Sequence, residues 1–229
     1  MNDPRCTQAD VDQAGEELIA LGRKACALHI NDGVARLSFM RQVDAFVDEI
    51  VQDVVDGVIS AQEGLETLWE EHEALRRRVE FYFWNGVTVA AGTTQTTLGI
   101  TTTGATLGAA TPFGALLVAH GSNNIYEGAA NIWNGPDARP AQGLTRQFYQ
   151  LILKDEHKGN IAYGTFDLGL SAGSLFRPVR KTGSLQLFRR DAINYVNAYK
   201  QAGRFSLALE AFSNYSTVSS IFFDEEDPK

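Results

Sequence analysis

His120, Asn123, Asn124, Glu127 and Asn131 are the residues whose types and spacing invite chemistry. On a helix, His120, Asn124, Glu127 and Asn131 fall within about 60° of one another and form one polar stripe on an otherwise apolar face. Asn123 and Asn134 flank it. Polar groups aligned in an apolar setting must be satisfied by each other, by backbone or by water. Three roles fit. The stripe is a buried hydrogen-bond network that holds its helix, or a polar lining for a water-filled ion path in which Glu127 favours cations over anions. The third role is an acid–base pair of His120 and Glu127, though no nucleophile, metal set or phosphate loop accompanies it.

The segment that must position these residues is Phe81 to Tyr126, which contains no Asp, Glu, Lys or Arg. It is rich in Ala, Gly and Thr, too apolar for an open surface and too polar for a committed membrane anchor. Conditional insertion into lipid is the expectation, set against a plain buried core. Gly92, Gly99, Gly104, Gly108 and Gly114 recur along it, and Gly104–Gly108 is a GxxxG that lets helix backbones approach closely in a bilayer. Gly99, Gly104, Gly108 and Gly114 are therefore the expected helix-packing residues. The Thr-rich run leaves a β-hairpin over 88–103 as the alternative local structure. Pro112 places the start of a second apolar helix near Thr111.

The remaining chain predicts a mostly α fold: an acidic helical region over 1–80, then over 81–229 a glycine-rich apolar hairpin and a C-terminal helical domain. Residues 8–31 form a helix with Val11, Ala14, Leu18, Leu21, Ala25 and Leu28 in heptad-like spacing, ended by Asp32-Gly33. A second runs over 34–58, and Ser60 with Glu63 forms a capping box for a third. His72 takes a core-facing slot in that helix. Arg76–Arg78 mark either a membrane–water boundary or an exposed face paired with nearby glutamates. Leu144 to Leu153 reads as an amphipathic helix, residues 159–186 as irregular connection or short strands, and Asp191 as the start of a long helix.

The formal net charge of −8 hides an asymmetry, since residues 1–80 carry 17 acids and 8 bases. Arg139 to Arg204 carries 11 bases against 4 acids, enough to face the acidic part or an anionic surface. No nucleic-acid partner, cofactor or metal site is expected. Met1 to Asp12 lacks an apolar leader segment, and Cys6 and Cys26 are read as free thiols.

Four stretches carry a resemblance: His120–Gly128 (HGSNNIYEG), Tyr163–Ser171 (YGTFDLGLS), Leu187–Arg190 (LFRR) and Asn194–Glu210 (NYVNAYKQAGRFSLALE). Over about residues 85–215 the chain resembles the bacterial domain of unknown function 4225, with residues 1–80 outside the match. The resemblance implies toxin-like modules of interbacterial competition and brings no catalytic residues with it. The glycine-punctuated apolar region also looks like that of type VI secretion effectors that depolarise the inner membrane of a target cell. The expectation that follows is a pore-forming antibacterial toxin, cytoplasmic in its producer, secreted, and acting at the target's inner membrane. Its partners would be membrane lipid, a secretion-tube or chaperone protein, an immunity protein and further copies of itself in the membrane. The alternatives are an enzymatic toxin using His120 and Glu127, and a non-toxic module that binds lipid or a partner helix.

Overall fold

The computed structural model describes residues 6–105, 111–184 and 192–202, with 207–208, 211, 214–215 and 217–218 beyond them. The chain divides into two compact units, Met1–Phe83 and Trp84–Lys229, and the boundary falls inside one long helix. The fold is mostly α, as the sequence predicts.

In the first unit, α1 (Gln8–His29), α2 (Gly33–Val55) and the beginning of α3 (Ala61–Ala105) close over Val11, Ala14, Leu18, Val47 and Leu68. Each helix start is built locally. Thr7 and Asp10 form one capping box, and Ser60 and Glu63 form another. Asp32 accepts from the Ala35 amide and so caps α2; the Asp32-Gly33 pair opens that helix instead of closing α1, which ends at Ile30 in extended backbone. Gly57, at a φ of +70°, closes α2, with the Val58 amide bonded back to the Asp53 carbonyl. His72 stacks edge-on against Trp69 with its Nδ1 buried and unbonded. Arg76 pairs with Glu73 and Glu80 on an exposed face.

The second unit holds the rest of α3, then α4 (Thr111–Asn134), α5 (Leu144–Leu153), α6 (Glu156–Phe176) and the strands β1 (Pro178–Arg180) and β2 (Tyr195–Asn197), antiparallel with Val179 opposite Val196. Residues 88–103 are helical, which removes the β-hairpin. Threonine tolerates the helix here because its hydroxyl bonds to the carbonyl one turn back, as in Thr88 to Trp84, Thr93 to Val89, Thr97 to Thr93 and Thr103 to Gly99. Among the described residues, no helix is long and apolar enough to cross a membrane.

Glycine decides how α3 meets α4. A Cβ added at Gly92 would lie 2.5 Å from the Gly121 carbonyl oxygen, and one at Gly99 would lie 2.5 Å from that of Gly114. A Cβ at Gly128 would lie 2.7 Å from the Asn85 carbonyl oxygen. Successive pairs step seven residues forward on α3 and seven back on α4, so the helices run antiparallel with backbone against backbone. Gly104 belongs to the last turn of α3, and Gly108 lies outside the described residues.

Two expectations for the C-terminal half are overturned. Residues 159–176 are a continuous part of α6, not irregular connection, because Gly159 and Gly173 serve as packing notches. A Cβ at Gly159 would lie 2.4 Å from Gln150 Cα, and Gly173 faces the Phe113 ring. Residues 192–200 form two 3-10 turns around β2 where a long helix was expected.

Candidate functional site

Helix α4 carries the polar stripe into the interior of the second unit. His120, Asn123, Asn124 and Glu127 are all buried there, His120 completely, and they are held by residues of α3, α5 and α6. A buried polar group without a partner costs about 1–3 kcal/mol, so the inventory of partners shows what the stripe does.

Glu127 is met by the start of α5. Its carboxylate accepts from Arg146 Nε and a second guanidinium nitrogen, each at 2.8 Å, and from the Gly143 amide at 2.8 Å. Only glycine fits at 143, since a Cβ would lie 2.0 Å from Asn123 Oδ1. Burial works against the charge on Arg146, but the hydrogen bonds and charge of Glu127 outweigh it and raise the guanidinium above its ordinary value. The same guanidinium lies 4.4 Å from the centre of the Tyr163 ring.

Asn123 and Asn124 face α6. The Tyr163 hydroxyl accepts from Asn123 Nδ2 at 3.0 Å and donates to Asn124 Oδ1 at 2.7 Å. Asn123 Oδ1 also accepts from the Thr145 amide in the first turn of α5. Asn124 Nδ2 reaches Gln95 Oε1 on α3 and Asp167 Oδ2 on α6, both at 3.3 Å, while Gln95 Nε2 donates to Asp167 Oδ1 at 2.8 Å. Asn131 bonds to Asn85 on α3 and accepts from the Ala141 amide. Burial, then the Asp167 charge, pushes the Tyr163 phenol far above its ordinary value, so it stays protonated.

His120 stacks flat on Tyr163, with ring centroids 4.8 Å apart and planes 7° apart. Its Nε2 lies 3.3 Å from the Tyr149 hydroxyl and its Nδ1 lies 3.4 Å from Asp167 Oδ1, the latter close but out of hydrogen-bond alignment. Hydroxyl, imidazole and carboxylate thus follow in the order of a nucleophile relay. Two facts oppose that use. No part of His120 reaches solvent, and burial, then Asp167, raises the Tyr149 phenol and keeps its proton on.

His120, Asn123, Asn124, Glu127 and Asn131 therefore lie together on one helix, but His120 is engaged by Tyr149 and Asp167 while Glu127 is engaged by Arg146 and Gly143. The arrangement is a set of cross-ties from α4 to α3, α5 and α6. Gly99 and Gly114 face each other across the α3–α4 contact. Sequence reasoning missed Gln95, Gly143, Arg146, Tyr149, Tyr163 and Asp167. Tyr163 and Asp167 were visible as an i, i+4 pair, had 159–176 been read as helix.

Among the described residues, no group of three His, Cys, Asp or Glu could hold a metal ion. No curated protein and no solved structure matches the chain. One family profile does, described as "Protein of unknown function (DUF4225)", over residues 65–203. The match begins earlier than the resemblance in the sequence suggested, taking in the part of α3 from Leu65 onward, and it ends before 215. It covers more than half of the chain, and it includes every cross-tie from Asn85 to Asp167: the chain belongs to the DUF4225 family.

Proposed function

We propose that the chain is a pore-forming antibacterial effector that inserts the glycine-rich α3–α4 hairpin into the inner membrane of a target cell and dissipates its potential. The observation that carries this reading is the backbone-to-backbone contact at Gly92–Gly121 and Gly99–Gly114. Large apolar side chains pair helices by leaving water, and that drive vanishes in lipid; close contact between small residues persists there. The threonine hydroxyls support the same reading. Bonded to carbonyls of their own helix, they enter an apolar phase at lower cost than free hydroxyls would. Because no described helix is apolar enough to cross a membrane by itself, insertion on this reading is conditional and involves the helices as a pair or as a larger assembly.

In the proposed cycle the protein is made in the producer's cytoplasm, carried by a secretion-tube or chaperone protein of a type VI system, and neutralised in kin by an immunity protein. Release of the ties to α5 and α6 frees the stripe of His120, Asn123, Asn124, Glu127 and Asn131, which then lines a path for small cations. Gly104 and Gly108 pack copies against one another in the bilayer.

The test is the potential across potassium-loaded liposomes, followed with a voltage-sensitive dye as purified protein is added. Loss of potential without escape of a larger trapped dye is the expected result. An unchanged potential at both neutral and acidic pH would sink the unaided pore. Gly104→Val with Gly108→Val is expected to abolish dissipation and killing while leaving the fold intact, and killing at the parental level would remove the packing role from these two glycines.

A further inference from the structure

Helix α5 is ten residues long and presents two opposite faces. Thr145, Arg146 and Tyr149 turn inward to Asn123, Glu127 and His120, which fixes the helix to its unit. Leu144, Phe148, Leu151 and Ile152 turn outward within a sector of about 100°, and they are 83%, 58%, 76% and 59% exposed. Open hollows flank this ridge, and Leu144 belongs to both: one continues to Tyr126 on α4, the other to Lys154. A rigidly held helix with bare leucines and phenylalanine is a docking surface.

We propose that this face docks on the surface of a bilayer containing anionic phospholipid, with α5 lying in the headgroup plane. Two observations select lipid over a protein. At 1.5 Å per residue the helix is about 15 Å long, too short to span a bilayer, and its outward stripe offers a few hundred Å² at most. A stable protein interface takes about 800 Å² from each partner, whereas lipid association has no such threshold and grows with each apolar side chain inserted. Two lysines and two acids stand together at its C-terminal end. Asp155 caps α6 through the Lys158 amide and Glu156 accepts from Gln142, so both acids are engaged within the chain. Lys154 is exposed at the end of the ridge, and Lys158 is 71% exposed, 3.8 Å from Asp155. Long cationic side chains at the edge of an apolar ridge reach phosphates while their stems stay with the acyl region.

Docking at α5 extends the membrane reading above but uses a different surface from the α3–α4 contact, so the two fail separately. The full chain would be floated with vesicles of phosphatidylcholine alone and of phosphatidylcholine mixed with phosphatidylglycerol. The parent is expected to float with the mixed vesicles. The variant Leu144→Ser/Phe148→Ser/Leu151→Ser, altered only at exposed positions, is expected to keep its circular dichroism and bind about tenfold or more weakly. Lys154→Glu/Lys158→Glu is expected to lose about tenfold or more on mixed vesicles only. Flotation of the triple variant at the parental level overturns the proposal, as does a parent that floats with neither vesicle. A dimer in sedimentation velocity that the triple variant dissolves, without flotation, assigns the face to a second copy and also overturns it. Flotation without loss of potential removes the pore and leaves docking; loss of potential undiminished in the triple variant removes docking and leaves the pore.

Discussion

At the scale of single residues the cross-ties are costly to break one at a time. Arg146 and Glu127 form a two-point ion pair in which the glutamate side chain is 7% exposed and the arginine side chain 26% exposed. Arg146→Ala strands that carboxylate and is expected to lower the free energy of unfolding in urea by about 3 kcal/mol, the lower end for a buried pair because the arginine touches water. Replacing both partners by methionine is expected to cost less than Arg146→Ala alone, since no charge is then left behind. Tyr163→Phe removes one donor and one acceptor from the asparagines and is expected to cost about 1–3 kcal/mol in the same assay. The polar stripe itself was legible in the sequence, because the spacing of four, three and four residues between His120 and Asn131 needs only a helix to align it. Its partners were not: Arg146, Tyr163 and Asp167 approach through tertiary packing that one strand of sequence does not encode locally.

At the scale of elements, spacing was read well where a side chain speaks for itself and badly where glycine does. The amphipathic helix over Leu144–Leu153 and the capping box at Ser60 and Glu63 stand where the sequence puts them. Helix α6 was missed because glycine is a poor helix former in isolation, a handicap that tight packing overrides at Gly159. The sequence singles out Gly92, Gly99 and Gly114 along with Gly104–Gly108, but not the seven-residue interval that adds Gly121 and Gly128 to the α3–α4 contact. Glycines in and out of that contact should therefore respond oppositely to one methyl group. Gly121→Ala, whose Cβ would fall 2.6 Å from the Gly92 carbonyl oxygen, is expected to destabilise the unit by about 1–3 kcal/mol or more. Gly86, on α3 with open space around it, is expected to gain about 0.5–1 kcal/mol on replacement by alanine. Thermal melts of the two variants side by side check both signs.

At the scale of the whole molecule, charge sets the response to pH. Asp10, Glu63 and Asp155 sit at helix starts, where backbone amides, the largest cause in each case, hold their carboxyls below the ordinary values of 3.8 to 4.5. A carboxyl lowered by folding contributes stability that is complete above its unfolded pKa and is lost as pH falls through the folded one. Thermal stability is therefore expected to hold at neutral pH and to fall below about pH 4. Glu63→Gln should melt lower than the parent at pH 7, with the gap closing in acid. A parent and variant separated equally at both pH values would place the effect elsewhere. The shift from acidic to charge-free sequence sets the expected boundary near residue 80, while α3 runs uninterrupted through it. The glycine contact has one more consequence. Glycines repeated every seven residues on both helices make the pair indifferent to a slip of one repeat, about 10.5 Å, because Gly92 would then meet Gly114 or Gly128 as readily as Gly121. The packing alone has a ladder of equivalent settings. What selects one rung is polar: Asn85 can bond Asn131, and Gln95 can bond Asn124, at a single offset, so these amides act as the index marks of an otherwise sliding scale.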